Sequence, residues 1–171
     1  MEKIKNTITK DLIIWMLSEF KQIQESYNIN EEEIVRLSNL EIQKLLYFIN
    51  GNYYAKFGKK LISDKFEAWK YGPVIPHIYH WLRENKNNKI YIDINDNEII
   101  KIINKFSKHF NEEEIKFIKK IFNFYSKFSV YQLVNLSHEG PWQLTNENEE
   151  IKDELIKEYF SKELCRIQNF I

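Results

Sequence analysis

Apolar residues recur at helical spacing in four long segments of the chain. Over 11–27, Ile13, Met16, Leu17, Phe20 and Ile23 fall on one side of a predicted helix. The second segment opens at Ser38-Asn39-Leu40-Glu41, a Ser-x-x-Glu capping box in which each side chain can satisfy a free backbone N–H of the other residue. Its stripe is Ile42, Leu45, Leu46, Ile49 and Tyr53, and Gly58 supplies the C-terminal stop. A third helix is predicted over 97–110 through Ile99, Ile102, Ile103, Phe106 and Phe110. The fourth starts at Asn111, an N-cap followed by Glu112, Glu113 and Glu114 where the helix dipole favours acids. It runs on through Ile115, Ile118, Phe122 and Tyr125. Shorter helices are predicted over 130–136 after Ser129 and over 149–160 after Asn148.

Two places leave the helical period. Residues 61–70 and 89–94 (KIYIDI) are short, rich in β-branched and aromatic residues and flanked by turn formers, so they read as two strands of one hairpin-like sheet. Between them, Tyr71-Gly72-Pro73 reads as a turn, since glycine tolerates unusual dihedrals and proline fixes its own. Pro76 then starts a helix carrying His77 to Arg83, because its missing N–H costs nothing at that position. No repeat, Gly/Ser linker or low-complexity tail divides the chain. The expected fold is mainly α (α+β): a compact single-domain helical fold over 1–171 with a small β-hairpin-like element.

Charge and composition narrow the function classes. Acidic and basic residues balance at 25 each, which leaves no net field to draw the chain to nucleic acid or an anionic membrane. Arginine occurs only at Arg36, Arg83 and Arg166, so no Arg-rich recognition helix is available to a DNA-binding regulator. The abundance of Ile, Asn and Lys has the look of AT-rich coding, and lysine pairs such as Lys119-Lys120 read as solvated helix faces. Cys165 is the single cysteine, which excludes an internal disulfide and a Cys-based zinc site. The N-terminal segment has no signal-peptide cleavage pattern and is too short and interrupted to span a membrane, so a cytoplasmic protein is expected.

Candidate chemistry concentrates at 68–82, AWKYGPVIPHIYHWL. His77 and His80 stand i, i+3 on the predicted helix and could face one way, but His109 and His138 are not in ligand spacing with them. No metal site is therefore assigned, and no cofactor. Nucleophile elbows and phosphate loops are missing, and four glycines cannot build a nucleotide cradle. No catalytic residue is assigned, and the chain is expected not to be an enzyme. Trp69, Tyr71, Tyr79 and Trp81 are expected to cluster around the Gly72–Pro73 corner, partly as core and partly as interface anchors. A second corner lies at Leu136-Ser137-His138-Glu139-Gly140-Pro141-Trp142, where Gly140-Pro141 must end a helix and Trp142 follows at once.

Taken in order, these stretches resemble the Panacea domain of the SocA-like antitoxin family, also described as phage-associated proteins. Ile42 to Phe48 matches its Leu-Lys-Leu-Leu-Tyr-type helix. Glu67 to Val74 matches its acid-Ala-Trp-x-Tyr-Gly-Pro-Val segment, and Leu133 to Trp142 resembles its late His…Pro-Trp pattern at His138, Pro141 and Trp142, with Ser137 where the family usually has threonine. The resemblance covers about 10–160, leaving little room in this sequence for an added terminal segment. It implies an antitoxin that binds and neutralises a cognate toxin encoded in the adjacent gene. The resemblance would make Trp69, Tyr71, Gly72, Pro73, Val74, His138, Pro141 and Trp142 the partner-binding or motif residues. Alternatives it leaves open are an adaptor that delivers a toxin to an AAA+ protease, or a phage-associated enzyme with a site lined by His77, His80 and His138.

Overall fold

The long helical segments fold as read, with boundaries displaced by a few residues. The computed structural model describes residues 8–30, 33–84 and 93–171. In chain order these form α1 (Ile8–Ser26), α2 (Asn39–Phe57), β1 (Glu67–Trp69), β2 (Gly72–Val74), α3 (Pro76–Glu84), α4 (Asn97–Lys108), α5 (Glu112–Tyr125), α6 (Val130–Ser137) and α7 (Asp153–Ile167). The fold is mainly α with one small antiparallel hairpin. The capping box at Ser38 and Glu41 is made in both directions, and Gly58 ends α2 in the left-handed conformation at φ 71°. Asn111 and Glu114 form a second box on α5, and Ser129 and Gln132 a third on α6.

α2 is the axis of the molecule. Every residue from Ile42 to Tyr53 is buried, so the one-sided stripe read from the sequence understates how this helix is enclosed. α3, α5, α6, α7 and β2 all pack on it, while α1 and α4 pair with each other. Each Leu or Ile fully buried along it contributes roughly 1.5–3 kcal/mol. Aromatic side chains fill the gaps: Phe48 stacks on Tyr125 at 4.2 Å, and Tyr47 meets Phe66 and Phe160 edge-on at 5.4 and 5.2 Å. Gly51 lets α7 approach, since a side chain there would run into the Phe160 ring.

The sheet departs from the sequence reading. The strand expected over 61–70 shrinks to Glu67–Trp69, because Asn50 on α2 takes the N–H groups of Leu61 and Ile62 with its side-chain oxygen, at 3.1 and 3.2 Å. Its partner is Gly72–Val74 instead of 89–94, with Glu67 opposite Val74 and Trp69 opposite Gly72. The turn is therefore Lys70-Tyr71, and Gly72 and Pro73 belong to the second strand. Of KIYIDI, residues 89–92 lie outside the described residues, and Ile94 sits in a turn.

The last helix also moves. Residues 149–152 are not helical, because they lie along the free edge of β1: Ala68 N–H donates to the Glu149 carbonyl at 2.9 Å and Ile151 N–H to that of Phe66 at 2.7 Å. Asn148, at φ 66°, bends the chain into this position and donates its N–H to the Ala68 carbonyl at 2.7 Å. Local helical patterning yields here to the ladder bonds that β1 would otherwise lack.

Candidate functional site

The three motif stretches, more than sixty residues apart along the chain at their ends, converge on one corner. α2 supplies two adjacent side chains to it. Lys44 Nζ donates to the Pro73 carbonyl at 2.8 Å, and Gln43 Oε1 accepts the Ile75 N–H at 2.9 Å. Both side chains are fully buried. Together they take the backbone groups that the outer edge of β2 would expose, and Pro73 has no N–H to offer. With β1 flanked by 148–151 on its other side, the hairpin offers no open edge of the kind that accepts an added strand.

Gly72 sits at the tightest point. Its φ of +94° disfavours any side chain, and a Cβ there would meet Ser137 Oγ and lie 2.9 Å from Lys44 Nζ. The turn, the α2 lysine and the end of α6 are thus in mutual contact. Ser137 Oγ donates to the Val134 carbonyl at 2.8 Å. His138 caps α6 and stacks on Trp142 at 4.1 Å, so the helix stops before Gly140 and the residues from His138 form turns. Trp142 Nε1 donates to the Trp69 carbonyl at 2.9 Å, which ties the second corner to the first.

Burial acts on the charges. Lys44 is pushed down to about 7, by desolvation alone. Among the described residues no carboxylate pairs with it. His138 is lowered by burial first and then by the nearby Lys44 charge, partly offset by the Lys70 backbone. Its Nε2 is buried without a hydrogen-bond partner among the described residues.

The outward face is aromatic. Trp69 lies half-buried against Tyr79 at 5.2 Å and donates its ring N–H to Glu67 at 2.8 Å. Tyr71 is 58% exposed and Leu144 72% exposed, while Gly72, Pro73, Val74 and Pro141 are buried and Trp142 is half-buried. Two open clefts of about 300 Å3 each flank Lys70 and Glu147. One runs between Leu40, Trp69, Tyr71 and Tyr79; the other lies beside Ala68, Trp142 and Thr145. Trp81 does not join this face, because its ring lies under Lys10 Nζ at 5.0 Å.

The predicted residues therefore divide into two layers. Gly72, Pro73, Val74 and Pro141 shape the corner from within, and Trp69, Tyr71, His138 and Trp142 reach its surface. Sequence reasoning missed Lys44, Gln43 and Leu144. No local signal marked Lys44, since on a helix with one apolar face a lysine reaches solvent, and only the enclosure of α2 buries it. The histidines separate: His77 Nε2 lies 3.2 Å from Asp64, whereas His80 stands beside Trp69 and Tyr79. Among the described residues no three His, Cys, Asp or Glu side chains gather as a metal site would require, and no helix is long and apolar enough to cross a membrane.

The family described as Antitoxin SocA-like, Panacea domain, matches residues 42–143. That stretch runs from the start of the buried part of α2 to one residue beyond Trp142, and so includes all three converging motifs. A relative named Antitoxin SocA, from Caulobacter vibrioides (strain NA1000 / CB15N), is 32% identical over 113 residues. The alignment covers 64% of this chain and 60% of the relative, less than two thirds of that protein's length. No solved structure matches. The match spans more than half of the sequence and all three converging motifs, and the chain belongs to the SocA-like antitoxin, Panacea domain family.

Proposed function

We propose that this protein is an antitoxin that neutralises a protein toxin by direct, stoichiometric contact through the hairpin corner. The observation that carries the reading is its family membership, together with the name of a relative aligned over 113 residues. The surface chemistry agrees with it. Trp69, Tyr71 and Trp142 line two clefts, and Leu144 is exposed two residues beyond Trp142, the kind of large side chains that anchor protein interfaces. The closed edges of the hairpin direct such an interface toward side-chain packing over strand addition. An interface of ordinary size would bury on the order of 1,200–2,000 Å2. Family membership also favours a non-enzymatic role.

The test is a growth assay in which the open reading frame beside this gene is induced alone and then together with this protein. Rescue from a toxic neighbour supports the reading, and a 1:1 complex on size exclusion supports direct contact. A toxin whose intracellular half-life shortens on co-expression would replace blocking with delivery to a protease. A harmless neighbour, or toxicity left untouched, would overturn the antitoxin reading.

A further inference from the structure

The groups that hold the hairpin differ from the groups it displays. Lys44 is fully buried, with Pro73 as the acceptor for one of its three donors and no carboxylate paired with it among the described residues. A buried cation without a counter-ion is costly, and an apolar side chain of the same length would fill the space more cheaply. The core does not rest on it, since α2 already buries Ile42, Leu45, Leu46, Tyr47, Phe48, Ile49 and Tyr53. Its one strong directional contact is with the turn, and Gly72 lies against its ammonium.

We infer that Lys44 is a positioning residue for the partner-facing hairpin: the charged amine draws the Pro73 carbonyl onto α2 and thereby fixes how Tyr71 and Trp69 are presented. The inference rests on the antitoxin reading for what the hairpin docks against, but the conformational claim can be tested without any toxin. It carries a pH signature. As Lys44 loses its proton near pH 7, the charge-assisted bond to Pro73 weakens to an ordinary one, and the hairpin relaxes at higher pH. Among the described residues His138, at the end of α6, is the titratable group whose charge interacts with Lys44; β2 contributes none, and Ser137 is not ionisable in this range.

The experiment follows backbone amide shifts of residues 70–74 by NMR on the full chain between pH 5.5 and 9. Wild type, His138→Gln and Lys44→Met are compared. The expected result is a titration of the Tyr71 and Gly72 amides with a midpoint near 7 in wild type and His138→Gln, and loss of that step in Lys44→Met, where only the His138 titration below its usual range acts on the Lys70 backbone. The Lys44→Met protein should melt no lower than wild type at pH 7, yet lose at least tenfold in affinity for a toxin that wild type neutralises. A hairpin that titrates in Lys44→Met as in wild type, or stops titrating in His138→Gln, overturns the inference. So does a folded Lys44→Met protein that neutralises as well as wild type. If Lys44→Met fails to fold, the wild-type and His138→Gln titrations decide alone. A wild-type protein that rescues nothing removes the antitoxin reading and leaves the hairpin titration to decide the role of Lys44.

Discussion

Two charges are buried against α2, and they are handled in opposite ways. Glu114, at the start of α5, is 4% exposed and fully compensated: Tyr53 Oη donates to it at 2.7 Å, Lys59 Nζ stands at 2.6 Å, and the Asn111 N–H at 2.9 Å completes a capping box. Lys59 first, and then Tyr53 and Asn111, outweigh burial and hold its carboxyl below the usual range. Lys44 is more deeply buried, has one 2.8 Å bond to a carbonyl and no counter-charge among the described residues, and is shifted toward its neutral form. The first arrangement is what a stable fold does with a buried ion; the second is what it tolerates when a position serves something else. The contrast marks the hairpin corner, and not the α2–α5 contact, as the place where stability has been set aside.

The largest effect should come from filling the space between Lys44 and its turn. Gly72→Ala places a Cβ against Ser137 Oγ and Lys44 Nζ at a φ of +94°, so it combines backbone strain with overpacking. A loss of about 3 kcal/mol or more is expected in urea unfolding. A loss below about 1 kcal/mol would mean that the corner yields easily and is not the tight junction described above.

Next in size, and opposite in sign, is Lys44→Met. A group lowered from 10.5 to about 7 leaves the unfolded chain binding more protons between those values, so wild-type stability rises with pH across that window and is lowest at and below its start. Removing the amine abolishes the rise. After allowing for an unpaired Pro73 carbonyl, Lys44→Met should be more stable by about 3 kcal/mol at pH 7. The gap should close as pH approaches 10, which denaturant midpoints at four or five pH values would reveal. Glu114→Gln should do the reverse, costing about 1 kcal/mol at pH 7. Because the Glu114 carboxyl is held low, its contribution is present above the usual glutamate pKa and disappears as pH falls through the folded value, so wild type and variant should converge in acid. Equal and parallel pH profiles for the two sites would erase the comparison.

Much of this was legible in the residues. The capping signals at Ser38, Asn111 and Gly58 and the start of α3 at Pro76 are local chemistry, and each was found where it was expected. The pairing of β1 was not, because strand partners are chosen by what else lies within reach. Asn50 occupies the backbone at Leu61 and Ile62, and 148–151 takes the free edge that a helix reading had assigned elsewhere. Lys44 was hidden for a related reason: in a lysine-rich chain its neighbours are solvated, and only the enclosure of α2 on every side, a tertiary fact, forces this one inward. The motif residues can be named from the sequence, but their division into buried and exposed positions required the fold. Gly72 and Tyr71 are adjacent in sequence and belong to different layers.

That division gives the smallest effect on stability and the cleanest test of the surface. Tyr71 and Leu144 make no hydrogen bond through their side chains among those described and are mostly exposed, so Tyr71→Ala and Leu144→Ser should each shift stability by less than about 0.5 kcal/mol. Each should nevertheless weaken toxin binding by more than about 1 kcal/mol if these side chains fill pockets on the partner, and the double variant should abolish rescue in the growth assay. Tyr131 provides the control. It is 72% exposed on α6, lining neither cleft and lacking the place close to Trp142 in sequence that Leu144 has, so Tyr131→Ala should leave stability and rescue alike unchanged. Loss of rescue with Tyr131→Ala but not with Tyr71→Ala would move the interface from the hairpin corner to the exposed side of α6, while the contrast between Lys44 and Glu114 would keep its meaning for stability alone.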